Sequence, residues 1–461
     1  MDRYVPSTFA AFSALPIELN KAIAHYLDTD KDIANFQSIC RATRDAVLGD
    51  QLSYWRARFR ETYAYKEGIS NQELKGRYQV RRQVLRVGTG SIFTHGHSEP
   101  EKKVLAVLKE LINESFQGPP QYDEYGRPHC PNLDHIVKFV LGSRIFHSKR
   151  RVNNDKAVNP ELAAIKLMCS QFLLDASTTL PVYGFDESQQ AVYAPANDAR
   201  IFTGLNKDQV NMEWLLHTLD FFRAYMTNED MGRLCGKLAD LPISEKPSAW
   251  RGRLEGGCYP LSKHWKGTFA YLQFDELKRL RRKDTKKKDI LFMDRSVDEG
   301  MIQTLKLNFV EPGKLPWPQV FEDRLQSRRP PLPNPPQRTR AQLHSKHKSP
   351  INTYKSVQLV GSGTDDENDF FASGWLNPLH PQCGIPGWQR MTLMKHFLDD
   401  YDQVSEDDLW AYEGVVLPGG RIILGRWWAA TEEPDFNNDN CGPFILWACD
   451  DDPEVIDDDA E

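Results

Sequence analysis

The amino-acid sequence predicts an α+β protein with a helical head, a helical middle region and a C-terminal antiparallel β-barrel or sandwich. Three observations lead there. Over residues 12–60 apolar side chains recur every three or four positions, the period of a helix that buries one face. Longer stretches of the same period continue to about residue 254. From about 255 the apolar runs shorten, glycine and aromatic residues become frequent, and turn residues separate the runs, as in antiparallel all-β domains. The 461 residues are too many for one ordinary core, so two or three domains are expected. Their boundaries read as 10–60, 61–254 and 255–449, with an acidic tail over 450–461.

In the head, Pro16 suits the first helical position, where its missing N–H is no loss, and Glu18 follows where the helix dipole favours an anion. Leu15, Leu19, Ile23 and Tyr26/Leu27 then make one apolar face. Asp28-Thr29-Asp30 interrupts, and Thr29 with Asp32 forms a capping pair for the next helix. Ile33, Phe36, Ile39 and Cys40 supply its buried stripe. A further helix starts near Asp50 with Leu52, Trp55 and Phe59 inward.

Residues 61–86 continue helically. The span 101–116 places Val104, Leu105, Leu108, Leu111 and Ile112 on one side, and further helices start near Asn132, Pro160 and Met212. Residues 182–203 read as a hairpin or long loop with Asp186-Glu187-Ser188 at its turn. Strand-like runs follow at 267–274, 290–293, 304–310, 410–417, 421–428 and 444–447. Between two of them, Pro418-Gly419-Gly420 matches the residue order of a type II turn, which predicts a hairpin. The Pro-rich, basic segment 324–350 has too few aliphatic residues to bury a core and is expected to be a disordered insertion.

Composition removes several function classes. A net charge of −6 gives no overall basic footprint, so nucleic acid is not an expected partner. No run approaches eighteen apolar residues and the first residues lack a signal-peptide core, so no membrane is expected either. Eight cysteines without a CxxC pair suggest reduced thiols in the cytoplasm and/or nucleus. His95-Gly96-His97 has no third ligand nearby, and 361–369 lacks both EF-hand and P-loop spacing. No hydrolase, metallopeptidase or kinase signature is present, so a non-catalytic chain without metal or cofactor is expected. The basic run 278–288 reads as a solvated loop between strands, with a nuclear signal or a contact to an acidic partner as the sharper alternatives.

The order Leu15-Pro16-x-Glu18-Leu19, Ile23, Tyr26-Leu27, Asp32-Ile33, Ile39-Cys40-Arg41 and Trp55 resembles the F-box over some fifty residues. It departs in Asn20-Lys21, in Ala42-Thr43 and in a longer run before Trp55. The resemblance implies docking on the Skp adaptor, and through it on a cullin–RING ubiquitin ligase. It implies an adaptor face of Leu15, Pro16, Leu19, Ile23 and Leu27, with Ile33 and Trp55 in the same small unit. The β-rich blocks, including 374–378, 384–391 and 410–428, are similar to F-box proteins of filamentous fungi. More weakly, they are similar to animal F-box proteins with a cyclin D-binding barrel. That similarity implies a barrel that binds an unknown target protein.

Within the barrel, Trp375, Arg426, Trp427 and Trp428 are the candidate target-binding residues, because aromatic and Arg side chains dominate desolvated interfaces. Strand alternation puts Arg426 and Trp428 on one face and Trp427 on the other, so one tryptophan should face the interior. The expected function is a non-catalytic substrate receptor. The alternatives are an F-box scaffold outside the ligase and a small-molecule-binding barrel.

Overall fold

A computed structural model describes residues 8–27, 29–90, 93, 95–124, 126–146, 158–174, 183–195, 199–204, 207–281, 292–310, 317–328, 355–365, 368–398, 404, 409–429 and 441–450. The chain divides into two compact units, Met1–Ser91 with Ala106–Ser143, and Ile92–Leu105 with Arg144–Glu461.

The first unit is built from α1 (Thr8–Ala14), α2 (Ile17–His25), α3 (Asp30–Gln37), α4 (Arg41–Leu48), α5 (Ser53–Thr62), α6 (Asn71–Gly88), the later part of α7 (Glu99–Asn113) and α8 (Pro131–Gly142). A two-residue ribbon, β1 (Gln121–Tyr122) with β2 (Pro128–His129), precedes α8. Thr29 caps α3, accepting the Asp32 N–H at 3.1 Å, as the sequence predicts. The core gathers Ile33, Phe36, Val47, Trp55, Phe59 and Tyr63. Tyr54 donates to the Ala24 carbonyl at 3.2 Å and Arg58 to the Leu27 carbonyl at 3.2 Å, which ties α5 to the end of α2. Buried Arg81 of α6 pairs with Glu114 at 2.6 Å beneath the rings of Phe59 and Tyr63. One expectation fails here. Helix α3 stops at Gln37, so Ile39 and Cys40 lie past its end and are only half-buried.

The second unit carries α9 (Pro160–Ser170), α10 (Phe185–Val192), α11 (Met212–Thr227) and α12 (Leu234–Ala239), with a ribbon of β3 (Phe202–Thr203) and β4 (Gln209–Val210). Residues Phe185–Val192, in the middle of the predicted hairpin or loop, are therefore helical. Asp186 and Glu187 occupy the first turn of α10, where the helix dipole favours acids, and the turn prediction mistook a helix start for a strand reversal.

The barrel follows. Its strands are β5 (His264–Phe269), β6 (Gln303–Val310), β7 (Val357–Asp365), β8 (Asn368–Pro378), β9 (Gln389–His396), β10 (Trp410–Val416), β11 (Ile422–Ala429) and β12 (Cys441–Ala448). Each pairs antiparallel with the next, and β12 closes on β5, giving an up-and-down closed barrel of eight strands. The β10–β11 hairpin has the predicted turn: Gly420 N–H donates to Leu417 O at 3.0 Å and Gly419 sits at φ +92°. Short helices α13 (Phe274–Arg281), α14 (Arg295–Glu299) and α15 (Gln319–Leu325) lie in the connections. Phe274 thus opens a helix instead of ending a strand, and Phe292 and Met293 are not in a strand. Residues 282–291, which hold most of the predicted basic run, lie outside the described residues.

An eight-stranded barrel leaves an interior that side chains can fill. Here Trp265, Leu359, Phe370, Met391, Tyr412 and Phe444 belong to that core. A separate cluster sits on the outer wall, where Trp317, Phe321 and Leu325 cover Met394, Ala411 and Trp428. The expected disordered insertion therefore begins later than 324. Leu325 is buried, and Ser327 donates to Thr392 Oγ1 at 2.7 Å. Residues 329–350 lie outside the described ones, as do 451–461 of the acidic tail. Asn377 Nδ2 donates both to Ser327 O at 2.9 Å and to Ser356 Oγ at 2.8 Å, so one side chain holds both flanks of that segment.

Candidate functional site

The short helix α2 is turned inside out relative to a self-sufficient bundle. Its buried positions are the small or polar Asn20 and Ala24. Asn20 donates to the Phe12 carbonyl at 3.0 Å. The large apolar side chains look outward: Ile17 is 41% exposed, Leu19 50% and Tyr26 86%. Leu15, Ile23 and Leu27 are half-buried and Pro16 is exposed. Leu15, Leu19, Ile23 and Tyr26 recur at helical spacing on one side of α2, whereas Ile17 lies on the opposite side. Polar groups share the Ile17 side of the helix. Lys21 pairs with Asp50 at 2.7 Å, and His25 lies 3.4 Å from Glu61. Ile33 and Trp55 are placed differently from the rest of the predicted adaptor set, since both are buried in the core beneath the surface. Ile17 was not among the predicted site residues, because it falls outside the three- and four-residue series that picks out Leu15, Leu19 and Ile23.

The four predicted target-binding residues are not brought together. Trp427 faces the barrel interior, packing edge-on against Phe269 and Trp410 with centroids 5.9 and 5.4 Å away. Trp428 and partly buried Trp375 join the outer cluster under α15. Arg426 also points outward, yet it is only 2% exposed. Its Nη2 donates to Val192 O at 3.4 Å and Ala194 O at 3.3 Å, and its guanidinium lies 5.0 Å from the Trp214 ring. Arg281 Nε adds a bond to Tyr193 O at 2.9 Å, so two arginines satisfy three successive carbonyls at the end of α10. Burial pushes the Arg426 guanidinium below its ordinary pKa, and neighbouring Arg281 acts in the same direction. Arg426 is thus a cap held inside the fold.

Three further buried ionisable groups have partners that the sequence does not show. On the outer wall, Arg390 Nε donates to Glu413 at 2.8 Å, and Nη2 donates to Leu325 O. In the interior, Lys395 pairs with Asp365. Burial lowers the Lys395 pKa, and the Asp365 carboxylate works against that shift. Behind the barrel wall, Asp294 accepts from Tyr193 at 2.5 Å, Gln189 at 2.6 Å and Tyr225 at 2.7 Å. Burial still pushes its carboxyl up to about 7 against those bonds.

The His95-Gly96-His97 segment leads into a helix start. Glu101 accepts the Gly96 and Ser98 N–H groups, both at 3.0 Å, in a capping arrangement for α7. Among the described residues no group of three or more His, Cys, Asp or Glu side chains is placed to hold a metal ion, and no helix is long and apolar enough to cross a membrane. No protein-family model matches the chain, and neither a curated protein nor a solved structure matches it.

Proposed function

We propose that this chain is an F-box receptor that links a target protein to a cullin–RING ubiquitin ligase through the Skp adaptor. The observation that carries the reading is the outward apolar stripe of α2, formed by exposed Leu19 and Tyr26 with half-buried Leu15 and Ile23 on the same side. A helix laid in an apolar groove is a common recognition mode, and among the described residues of its unit nothing covers Leu19 or Tyr26. Burying one Leu or Ile fully stabilises an interface by roughly 1.5–3 kcal/mol, so a few such residues suffice. The ligase chemistry belongs to other subunits. This chain contributes proximity, holding a target where ubiquitin is delivered and so raising its effective concentration. The target is assigned to the barrel.

The test is calorimetric titration of the full chain with the Skp adaptor. Changing Leu19 and Ile23 together to Ala should weaken binding by more than about tenfold, because truncated anchors at interface hot spots typically lose ~2 kcal/mol each. Both side chains are at least partly exposed, so the unit should still fold. Unchanged affinity in the double variant would sink the assignment.

A further inference from the structure

The two ends of the barrel differ in chemistry. At one end β5, β7, β9 and β11 finish while β6, β8, β10 and β12 begin. There Phe269, Phe397 and Trp410 are each only partly buried. Lys395 points inward among the rings. Its ammonium lies 4.2 Å from the Phe370 centroid, 5.4 Å from Phe397 and 5.6 Å from Phe269. The ring set thus already holds a cation, supplied by the chain itself. A cation over an aromatic face is attracted by the ring quadrupole, most strongly when desolvated.

The carboxylate partner is only half used. Asp365 Oδ2 takes Lys395, while Oδ1 accepts no hydrogen bond among the described residues. The Asp365 side chain keeps 15% exposure against 4% for Lys395, so the carboxylate is the member that reaches solvent. Asp369, exposed and opposite Thr364 on the same hairpin, adds a second acid to this rim. Mouths of barrels are a preferred place for binding sites, with apolar rings giving area and a few polar groups giving orientation.

We infer that this end of the barrel recognises a basic segment of the target. A lysine or arginine side chain lies along the open faces of Phe269, Phe397 and Trp410, with its head group on Asp365 Oδ1. This assignment takes the barrel as the target-binding part of the receptor proposed above. Charge complementarity selects the occupant: among the described residues at the strand ends of this mouth, the charged groups that reach solvent are the Asp365 and Asp369 carboxylates, beside partly buried rings. A charge-assisted bond to Oδ1 supplies direction. Lys395 competes for the same carboxylate, so the site is held at partial strength by its own side chain.

That competition gives the test its form. Asp365→Asn alone would strand a buried lysine, so it is not the informative variant. Lys395→Met frees both carboxylate oxygens and keeps an apolar filler in the interior. Lys395→Met combined with Asp365→Asn removes both charges together and leaves no unpaired ion. The probes are a fluorescein-labelled nonapeptide with two lysines and its two-arginine and two-glutamate counterparts, titrated into the full chain by anisotropy. The wild type should prefer the basic peptides, Lys395→Met should bind them at least about tenfold tighter, and the double variant should fall to the level of the glutamate peptide. The inference is overturned if neither wild type nor Lys395→Met prefers basic peptides, or if the double variant binds them as Lys395→Met does. Adaptor copurification from the same preparations separates the two proposals. A chain that fails to bring down the adaptor while keeping its preference for basic peptides defeats the receptor reading alone.

Discussion

Arg426 invites a selective-binding experiment, and its surroundings predict a different outcome from the one its sequence context suggests. Arg426→Ala removes a guanidinium that bonds two carbonyls at the end of α10 and lies over Trp214. The two bonds, at 3.4 and 3.3 Å, are at the long limit, so each is taken at the low end, roughly 1 kcal/mol. The desolvated contact with Trp214 contributes up to about 2 kcal/mol. Relief of a buried charge offsets part of this, leaving a net loss of about 3 kcal/mol, in the range for large-to-small changes at buried sites. Arg426→Met loses the same bonds and charge but keeps apolar volume over Trp214, so it should be less destabilised than Arg426→Ala by on the order of 1 kcal/mol. Urea titration followed by circular dichroism measures both, with partner lists compared from cell extracts. Two results refute the reasoning: an Arg426→Ala chain of unchanged stability that loses one partner selectively, or an Arg426→Met chain as unstable as Arg426→Ala.

Two further outcomes follow from buried geometry. A Cβ at Gly419 would stand 2.1 Å from Trp250 Cβ with the backbone at φ +92°, so Gly419→Ala should lower stability by about 1–3 kcal/mol and lower the melting temperature measurably. Asp294, raised from the ordinary 3.8 to about 7, holds a proton in the folded state over a range where the unfolded chain has lost it. Stability from this group is therefore greatest at the acid side, declines as pH rises from about 4 to 7, and is flat above, a change on the order of 4 kcal/mol. Asp294→Asn should remove this decline from the wild-type profile in melts at stepped pH, and identical profiles for the two proteins would count against the buried-carboxylate account.

The parts of the fold that were legible in sequence are those with one buried and one open face. Helix α2 shows a clear period because its large apolar side chains Leu19, Ile23 and Tyr26 gather on the side away from buried Ala24. The β10–β11 hairpin is legible because Pro418 and Gly419 fix its turn. Strands β7, β8 and β9 were not singled out. Every position of β9 is buried, since its outer wall lies beneath other elements, so apolar Met394 faces out and Lys395 faces in, and the alternation begun by Arg390, Met391, Thr392 and Leu393 is broken. The Gly361-Ser362-Gly363 run of β7 looks like a loop in sequence, yet those glycines let strands approach closely: a Cβ at Gly363 would stand 1.9 Å from Thr304 O. Helix α10 buries Ser188 and Gln189 and so lacks an apolar signature. The Lys395–Asp365 pair was invisible because only strand register joins residues that far apart. Arg426 was legible as an unusual charge, and its role was not, because the carbonyls it serves lie in a helix more than two hundred positions earlier.

Closure of the barrel restricts how any partner can be read by it. An open sheet can capture an extended peptide as one more strand, using main-chain bonds that are indifferent to sequence. Here β12 is paired to β5 and all eight strands have both neighbours, so no strand edge is left to extend. Recognition must then rest on side chains at the ends or on the outer wall. Affinity becomes sensitive to single substitutions in the partner, and the same closure removes a template for edge-to-edge aggregation.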